Sequence, residues 1–408
     1  MRTSEVLIIG GGAGGIAAAA SIKARRPSTQ ITLVDPAHEH FYQPGWTLVG
    51  AGVFDKTQTR RPMASVIPAG VDWLQTSVVS FDPAQNQVQL ADETSIEYGQ
   101  LIVAPGLKID WDAIPGLNEA LGHGGVTSNY RYDLAPYTWE LAKQTKNGRV
   151  LFTQPPMPIK CAGAPQKAMY LTCDEMAKRG ALGGNTVEFH NAGPALFGVA
   201  AYVPALMEYV ERYGIDLRFG SKLTRVRGEE NIAEFTHTDA DGNEQVTETG
   251  YDMLHVCPPQ CAPDFIKASP LANEAGWLEV DQETLRHTRY DNVFGLGDVI
   301  SAPNAKTAAA ARMQAPVVAH NVVVALGAAA GTAVYNGYGS CPLTVERGKI
   351  VLAEFGYGGT LLPSFPRWLI DGQKPSRLAW FLKERLLPPL YWHVMLKGKE
   401  WLTKPTIK

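Results

Sequence analysis

Glu5-Val6-Leu7-Ile8-Ile9-Gly10-Gly11-Gly12-Ala13-Gly14-Gly15 is the stretch whose reading decides the fold. Residues 5–9 form a short apolar run with β-branched members, which reads as a buried strand. Gly10, Gly12 and Gly15 meet the spacing G-x-G-x-x-G. In that spacing the first glycine makes a tight turn and the second lets the backbone approach a pyrophosphate. The third lets the helix pack close on the strand. An Ala-rich helix is predicted over 16–25, with its N-terminus toward the anion. Ile31-Thr32-Leu33-Val34 is the next strand, ending at Asp35, twenty residues after Gly15. A lone glycine match is weak, but a strand before it, a helix after it and an acid at the next strand end predict a dinucleotide-binding βαβ unit.

Outward from this unit, alternating segments between Val71 and Tyr98 suggest antiparallel strands, and residues 101–104 a buried strand running into Pro105-Gly106. A second α/β section begins near Asn147. Its strands are predicted at 149–152, 187–190 and 252–257, and its helices at 167–179 and 197–213. Residues 292–298 then read as a strand ending in a Gly-Asp turn, followed by a long Ala/Val helix over 306–327. Beyond Gly331 the pattern changes to Gly/Pro-rich segments and short aromatic helices. The fold class expected is α/β, with two Rossmann-like dinucleotide-binding domains and a C-terminal membrane-attachment segment. The first dinucleotide-binding domain is expected at 1–113 and 286–330, a second Rossmann-like domain at 114–285 and a C-terminal region at 331–408.

Bulk properties exclude several classes. The 408 residues are 45% hydrophobic and 19% charged, which excludes a disordered chain. A net charge of −3 argues against nucleic-acid binding. Five cysteines are too few for a secreted disulfide scaffold. Cys257 and Cys261 lack the second Cys/His pair of a zinc site, so no metal is expected. The N-terminus has neither signal-peptide nor transit-peptide character. The apolar stretch 315–331 contains His320 and Asn321 and falls short of the ~20 residues a membrane span needs.

Asp298 ends a strand just before a long helix, where an acid can bind a ribitol hydroxyl. The sequence here resembles the two-dinucleotide-domain flavoproteins, which implies FAD rather than NAD. Lys306, Thr307 and Ala308 at the helix start would offer positive charge and N–H groups to the flavin N1/O2 edge, where charge accumulates on reduction. An NAD(P)H-using flavoprotein should repeat the glycine motif in its second section. That place holds His190-Asn191-Ala192-Gly193-Pro194-Ala195-Leu196-Phe197-Gly198. Pro194 and Phe197 stand where a pyrophosphate needs open backbone, so the nicotinamide site reads as lost. Electrons then need another entry. Cys161, in Lys160-Cys161-Ala162-Gly163-Ala164-Pro165-Gln166-Lys167, is flanked by lysines and a helix N-terminus that would stabilise a thiolate. Cys341 lies in Ser340-Cys341-Pro342-Leu343. From spacing alone, two inert thiols remain the competing reading. Cys173 falls inside a helix and reads as core. His38, His40 and His123 read as exposed loop residues without a role.

IKCAGAPQK, SCPL, GGGAGG, FYQPGW at 41–46 and YWHVMLKG together resemble the sulfide:quinone oxidoreductases, and most the branch that includes the mitochondrial enzymes. The resemblance covers essentially the whole chain. It implies that Cys161 and Cys341 are a redox pair, with Cys161 facing flavin C4a and Cys341 carrying sulfane sulfur. It implies FAD contacts at Ala13, Gly14, Asp35, Gln43 and Val78, besides Asp298 and the helix start at Lys306. Some branches carry a third functional Cys in the first half. Here Thr127-Ser128-Asn129 occupies that region, which implies a two-cysteine mechanism. The partners implied are hydrogen sulfide, ubiquinone or another membrane quinone, and a small thiol or sulfite as sulfane-sulfur acceptor. A homo-oligomer is compatible with this reading. Phe355 and Tyr357 are candidate quinone-pocket residues, with core packing as the competing reading. The rivals are an NADH:quinone oxidoreductase of the same fold and a non-catalytic electron-transfer subunit.

Charge supports a membrane role. Residues 367–408 carry nine Lys/Arg and three Asp/Glu, a net of +6, against −9 for the remainder. Ser376 is predicted to cap a helix that Pro388-Pro389 ends. A second apolar segment runs over 390–396. Both are expected to lie in the headgroup plane of a membrane, as in a peripheral protein on the cytoplasmic membrane of a bacterium.

Overall fold

A computed structural model describes residues 2–239 and 241–408. Strand β1 (Arg2–Ile9) is followed by the glycine loop, helix α1 (Ala13–Arg25) and β2 (Ile31–Val34). Then come β3 (Val71–Leu74), β4 (Val78–Asp82), β5 (Gln87–Leu90) and β6 (Ser95–Val103). The sheet order is β3-β2-β1-β6-β5-β4, with β1 parallel to both β2 and β6. Val6–Ile9 and Leu101–Val103 are buried because helices cover a parallel sheet on its faces.

The second unit contains β7 (Val126–Thr127), β8 (Arg149–Gln154), α2 (Ala164–Lys178), β9 (Thr186–Asn191), α3 (Val203–Tyr213), β10 (Asp216–Phe219) and β11 (Met253–His255). It is an all-parallel sheet in the order β7-β11-β8-β9-β10. A three-stranded antiparallel sheet of Ser221–Arg227, Ile232–Thr238 and Glu244–Gly250 stands beside it. Strand β12 (Val293–Gly295) returns to the first sheet, pairing in parallel with β6. Helix α4 (Ala308–Ala325) then packs on α1. Ala17–Ala19 meet Ala311, Ala315 and Ala319 in one core. Small side chains let the two helices approach closely beneath the glycine loop.

Four local expectations need correction. The stretch beyond Gly331 is not only loops and short helices. It contains a hairpin, β13 (Gly339–Glu346) and β14 (Lys349–Phe355), whose Leu343, Val345, Val351 and Ala353 pack on Met169 and Cys173 of α2. The α-helix expected from 197 begins only at Val203, with Pro204 in its first turn. Pro388-Pro389 does not end the C-terminal helix. Helix α5 (Arg377–Phe381) runs through a π-type turn (Leu382–Leu386) into α6 (Leu387–His393). Both prolines fall in the first turn of α6, where a missing N–H and a fixed φ cost little. Finally, the segment 390–396 is not free to lie in a headgroup layer. Tyr391, Trp392, Met395 and Leu396 are buried in the core that holds α1.

Candidate functional site

The glycine loop is built for a ligand. Gly10 has φ +101°, and a Cβ there would strike the Ala104 carbonyl. A Cβ on Gly15 would strike the Gly10 carbonyl. Gly12 is different, with nothing within 4 Å of where its Cβ would stand. It is the N-cap of α1, which has no side-chain cap and no acid in its first turn, formed by Ala13, Gly14 and Gly15. An open helix N-terminus with no protein anion on it fits a pyrophosphate. Asp35 braces the loop: its carboxylate accepts the Gly11 N–H at 2.6 Å and the Ala37 N–H at 2.8 Å. Val78 opens β4 with its side chain in the sheet's core.

The far side of the cradle comes from the return of the chain after β12. The half-buried Asp298 carboxylate makes no hydrogen bond among the described residues, and burial raises its pKa against the pull of Lys306 and Lys160. An unpaired acid of this kind fits a ligand hydroxyl. Lys306 is not the free cation expected. Its Nζ donates to the carbonyls of Asp298 at 2.7 Å and Ile300 at 3.0 Å, and it lies 4.1 Å from the centre of the Trp277 ring. It staples the Asp298 loop, and burial draws its pKa down to about 8. Thr307 caps α4 through its Oγ1, which accepts the Ala310 N–H at 3.2 Å. Ala308, the first residue of α4, follows that cap.

Cys161 is tied to this cradle by backbone. Its N–H donates to the Lys306 carbonyl at 2.7 Å. Lys160 Nζ donates to Gln43 Oε1 at 2.7 Å and lies over the rings of Trp46 and Tyr130. The FYQPGW segment, the KCAG loop and the start of α4 therefore meet at one place. Cys161 adopts φ +49°, a left-handed value uncommon for a residue with a side chain. Opposite it, Cys341 on β13 is 2% exposed. The two Sγ atoms are 3.7 Å apart, across 180 residues of sequence. That is van der Waals contact between free thiols, short of the ~2 Å of a disulfide. Gly163 makes the approach possible, because a Cβ there would stand 2.7 Å from Cys341 Sγ and run into Leu343.

The pair is electrically asymmetric. Cys161 is held well below the usual thiol range, first by a hydrogen bond from Cys341 and then by the charge of Lys167, against burial. Lys167 Nζ is 3.0 Å from Cys161 Sγ. Burial opposes the Lys167 charge, but the Cys161 thiolate outweighs it and raises the lysine. Cys341 is pushed up by its hydrogen bond to Cys161 and by burial. The arrangement is a thiolate, a thiol and an ammonium within one buried contact, which is the make-up of a nucleophilic and redox-active cysteine. Of the remaining cysteines, burial raises Cys173, and raises Cys257 to about 12.

Other residues fall elsewhere or surprise. Phe355 ends β14 and packs edge-on against Phe197 at 5.9 Å. Tyr357 stacks edge-on with Tyr335 and donates to the Gln282 carbonyl at 2.5 Å. Phe355 also packs against the core cluster that contains Cys341. In the second unit, Phe197 is buried rather than projecting into a nucleotide site, and Pro194 is exposed. The loop closes on itself instead: the Gly193 N–H bonds Asn191 Oδ1 at 2.8 Å and Gln166 holds the Leu196 carbonyl. With α3 starting only at Val203, no helix N-terminus follows the β9 turn directly. His40, expected in an exposed loop, is 3% exposed, with Nδ1 against the Gly11 carbonyl at 3.1 Å and Nε2 against Tyr391 Oη at 2.6 Å. Lys383, unremarked in the sequence, is buried, and the charges of the cysteine pair act on it. Neither position has a local pattern that would have revealed it.

The fold is that of the pyridine nucleotide-disulphide oxidoreductases, and the model of that family matches residues 4–138. Full-length similarity is narrower. The chain is 40% identical to the mitochondrial sulfide:quinone oxidoreductase of Dictyostelium discoideum, over 100% of this chain and 88% of that protein. It is 39% identical to the mitochondrial sulfide:quinone oxidoreductase of Mus musculus, over 97% of this chain and 86% of that protein. The solved structure of the sulfide:quinone oxidoreductase from the hyperthermophilic bacterium Aquifex aeolicus superposes with a TM-score of 0.79 over 98% of this chain and 93% of that chain, at 19% identity, a likeness of fold. The chain belongs to the sulfide:quinone oxidoreductase family. Its cofactor is FAD.

Proposed function

We propose that this chain oxidises hydrogen sulfide to sulfane sulfur at the Cys161–Cys341 pair and passes the two electrons to a membrane quinone. The observation that carries the reading is the 3.7 Å contact between the two sulfurs, with the Lys167 ammonium 3.0 Å from Cys161. FAD, when bound, supplies the two-electron relay. Gly10, Gly12, Ala13, Gly14, Gly15, Asp35, Gln43, Val78, Asp298, Lys306, Thr307 and Ala308 are the residues that would hold it. In the resting state the two cysteines are joined by a disulfide or sulfur bridge. Hydrosulfide attacks one sulfur, a new S–S bond forms to it, and the old bond breaks with its electron pair on the other cysteine. Lys167 stabilises the thiolate left at Cys161. A small thiol or sulfite then removes the sulfane sulfur.

Phe355 and Tyr357 remain the quinone residues of this reading, supported by their partial exposure near the C-terminal region. Among the described residues no helix is long and apolar enough to cross a membrane. Peripheral attachment is supported by exposed Trp368, Leu378, Phe381 and Leu386 in a segment of net +6. The reading includes lipid as a partner, a homo-oligomer, and the cytoplasmic membrane of a bacterium as location; the relatives named are mitochondrial, and fractionation decides. The functional test is anaerobic: sulfide bleaches the bound flavin, NADH does not, and quinone restores the colour. Rapid bleaching by NADH alone, with sulfide inert, overturns it in favour of the NADH-linked rival.

A further inference from the structure

Lys383 is an unusual residue to bury. It is 4% exposed, on the π-type turn between α5 and α6. Among the described residues it has no hydrogen bond and no carboxylate partner. The neighbouring Glu384 is engaged by Trp380 Nε1 at 2.7 Å and by Arg385. An uncompensated ammonium inside a protein is strongly unfavourable unless something negative meets it.

The packing shows what Lys383 faces. Ala379, Trp380 and Leu382 around it share a core with Leu171 of α2 and Leu352 of β14. Leu171 is one helical turn beyond Lys167, and Leu352 lies opposite Pro342, next to Cys341. The turn therefore delivers Lys383 to the end of the molecule where the two sulfurs meet. The charges that act on it there are those of Lys167, Cys161 and Cys341. Lys167 and Lys383 share this buried place with a single thiolate, so a protonated Lys383 has no protein anion of its own to answer it.

We propose that Lys383, together with Lys167, forms a seat for a small sulfur anion at the Cys161–Cys341 pair, and that Lys383 is the half of the seat dedicated to the incoming anion. This rests on the sulfide-oxidising reading above. Lys167 is committed to Cys161 Sγ, whereas Lys383 has no protein partner. Hydrosulfide held by Lys383 is placed against the sulfurs as an anion, the form that attacks. In the attack, the S–S bond to one cysteine forms as the Cys161–Cys341 bond breaks, and the displaced pair of electrons stays on the leaving cysteine as thiolate. The negative charge only moves between sulfurs, inside the reach of the two lysines. Burial first, and then the charge of Lys167, bring the Lys383 ammonium down to about 7. An arriving anion reverses that, so anion and proton are taken up together.

The same seat suits a sulfite acceptor, and the test separates the two. Lys383→Met and Lys383→Arg are compared with wild type in the FAD-loaded full chain. Replacing a buried unpaired cation by an apolar side chain does not cost stability, so Lys383→Met should unfold at or above the wild-type temperature. Lys383→Met should need at least ten-fold more sulfide for half-maximal bleaching, and Lys383→Arg should recover most of the loss. Sulfite half-saturation in turnover reads the acceptor arm. Independently of turnover, millimolar sulfite should protect reduced Cys161 from iodoacetamide in wild type and Lys383→Arg, but not in Lys383→Met. Lys383→Met with wild-type sulfide dependence and wild-type protection overturns the proposal. Failure of sulfide to bleach wild type strikes the functional reading instead, and the protection assay still decides the anion seat.

Discussion

His40 Nε2 lies 2.6 Å from the phenol oxygen of Tyr391, joining the edge of the glycine loop to a helix 351 residues later in the chain. The other ring nitrogen sits 3.1 Å from the Gly11 carbonyl. A side chain of α6 thus reaches the cofactor loop through one imidazole. Tyr391→Phe should lower stability by about 1 kcal/mol, the cost of one buried hydrogen bond. It should also speed release of FAD during mild urea titration. Thermal unfolding and flavin fluorescence read both. Wild-type FAD retention would show that this bridge does not support the loop.

The same histidine gives the protein an acid limit. Burial lowers His40 to about 4, with the Gly11 carbonyl contact opposing it, and burial likewise lowers His255 to about 4. Each is buried neutral, so the unfolded chain binds more protons below pH ~6.5. Stability is full above that pH and falls as pH drops toward 4. The loss at His40 is of order 3 kcal/mol by pH 4. Urea midpoints at pH 7, 5.5 and 4.5 should decline in that order, and less steeply in His40→Gln.

Sulfur chemistry separates the five cysteines. Cys161→Ser and Cys341→Ser should each retain FAD and lose sulfide:quinone turnover by several orders of magnitude, because the pair acts as a unit. Cys173→Ser, Cys257→Ser and Cys261→Ser should keep turnover within a few-fold. Steady-state assays with a short-chain quinone decide. Near-normal turnover in Cys341→Ser would remove the two-cysteine scheme.

The approach of the two sulfurs depends on Gly163. Its missing side chain leaves room for Leu343 and for Cys341 Sγ. Gly163→Ala should push β13 outward and separate the thiols, with FAD still bound. Its turnover should fall at least ten-fold, and the two cysteines should oxidise to a disulfide more slowly. Thiol titration after mild oxidation measures the second effect.

What the sequence made legible follows from where the determinants lie. Gly10, Gly12, Gly15 and Asp35 form a local pattern set by one ligand type, so the first unit could be read residue by residue. The Cys161 loop was legible because its lysines and following helix are contiguous with it. The hairpin carrying Cys341 was missed because Gly and Pro around 331–342 mask its alternation. Pro388-Pro389 misled because a break was expected where a π-type turn resets the register and makes both prolines first-turn residues. His40 and Lys383 owe their places to contacts across most of the chain, which no local spacing encodes. The inward face of 390–396 was invisible for the same reason. Its apolar residues suit a lipid surface or a protein core equally well, and α1 claims them.

That last point changes how the membrane reading is tested. Truncation after Pro366 would strip Tyr391, Trp392, Met395 and Leu396 from the first core and Lys383 from the cysteine site. Losses after truncation would therefore say nothing specific about lipid. One set of residues free to meet lipid is on the outer side of α5 and its π-type turn. Leu378 is 42% exposed, Phe381 50% and Leu386 46%, at helical spacing, with Arg377 and Arg385 exposed among them. Burying one such side chain in the interface is worth roughly 1.5–3 kcal/mol. Each well-placed cation adds about 1 kcal/mol on an anionic surface. Replacing all three by serine leaves the buried side of the helix untouched and removes the apolar contribution of this face. The triple variant should stay folded and FAD-loaded, and sulfide should bleach it as it bleaches wild type. It should no longer cosediment with anionic vesicles in moderate salt. Reduction of a long-chain quinone in vesicles should fall while a soluble short-chain quinone is reduced normally, because only the former must be met in the bilayer. Full cosedimentation of the triple variant would rule out this face as the attachment surface.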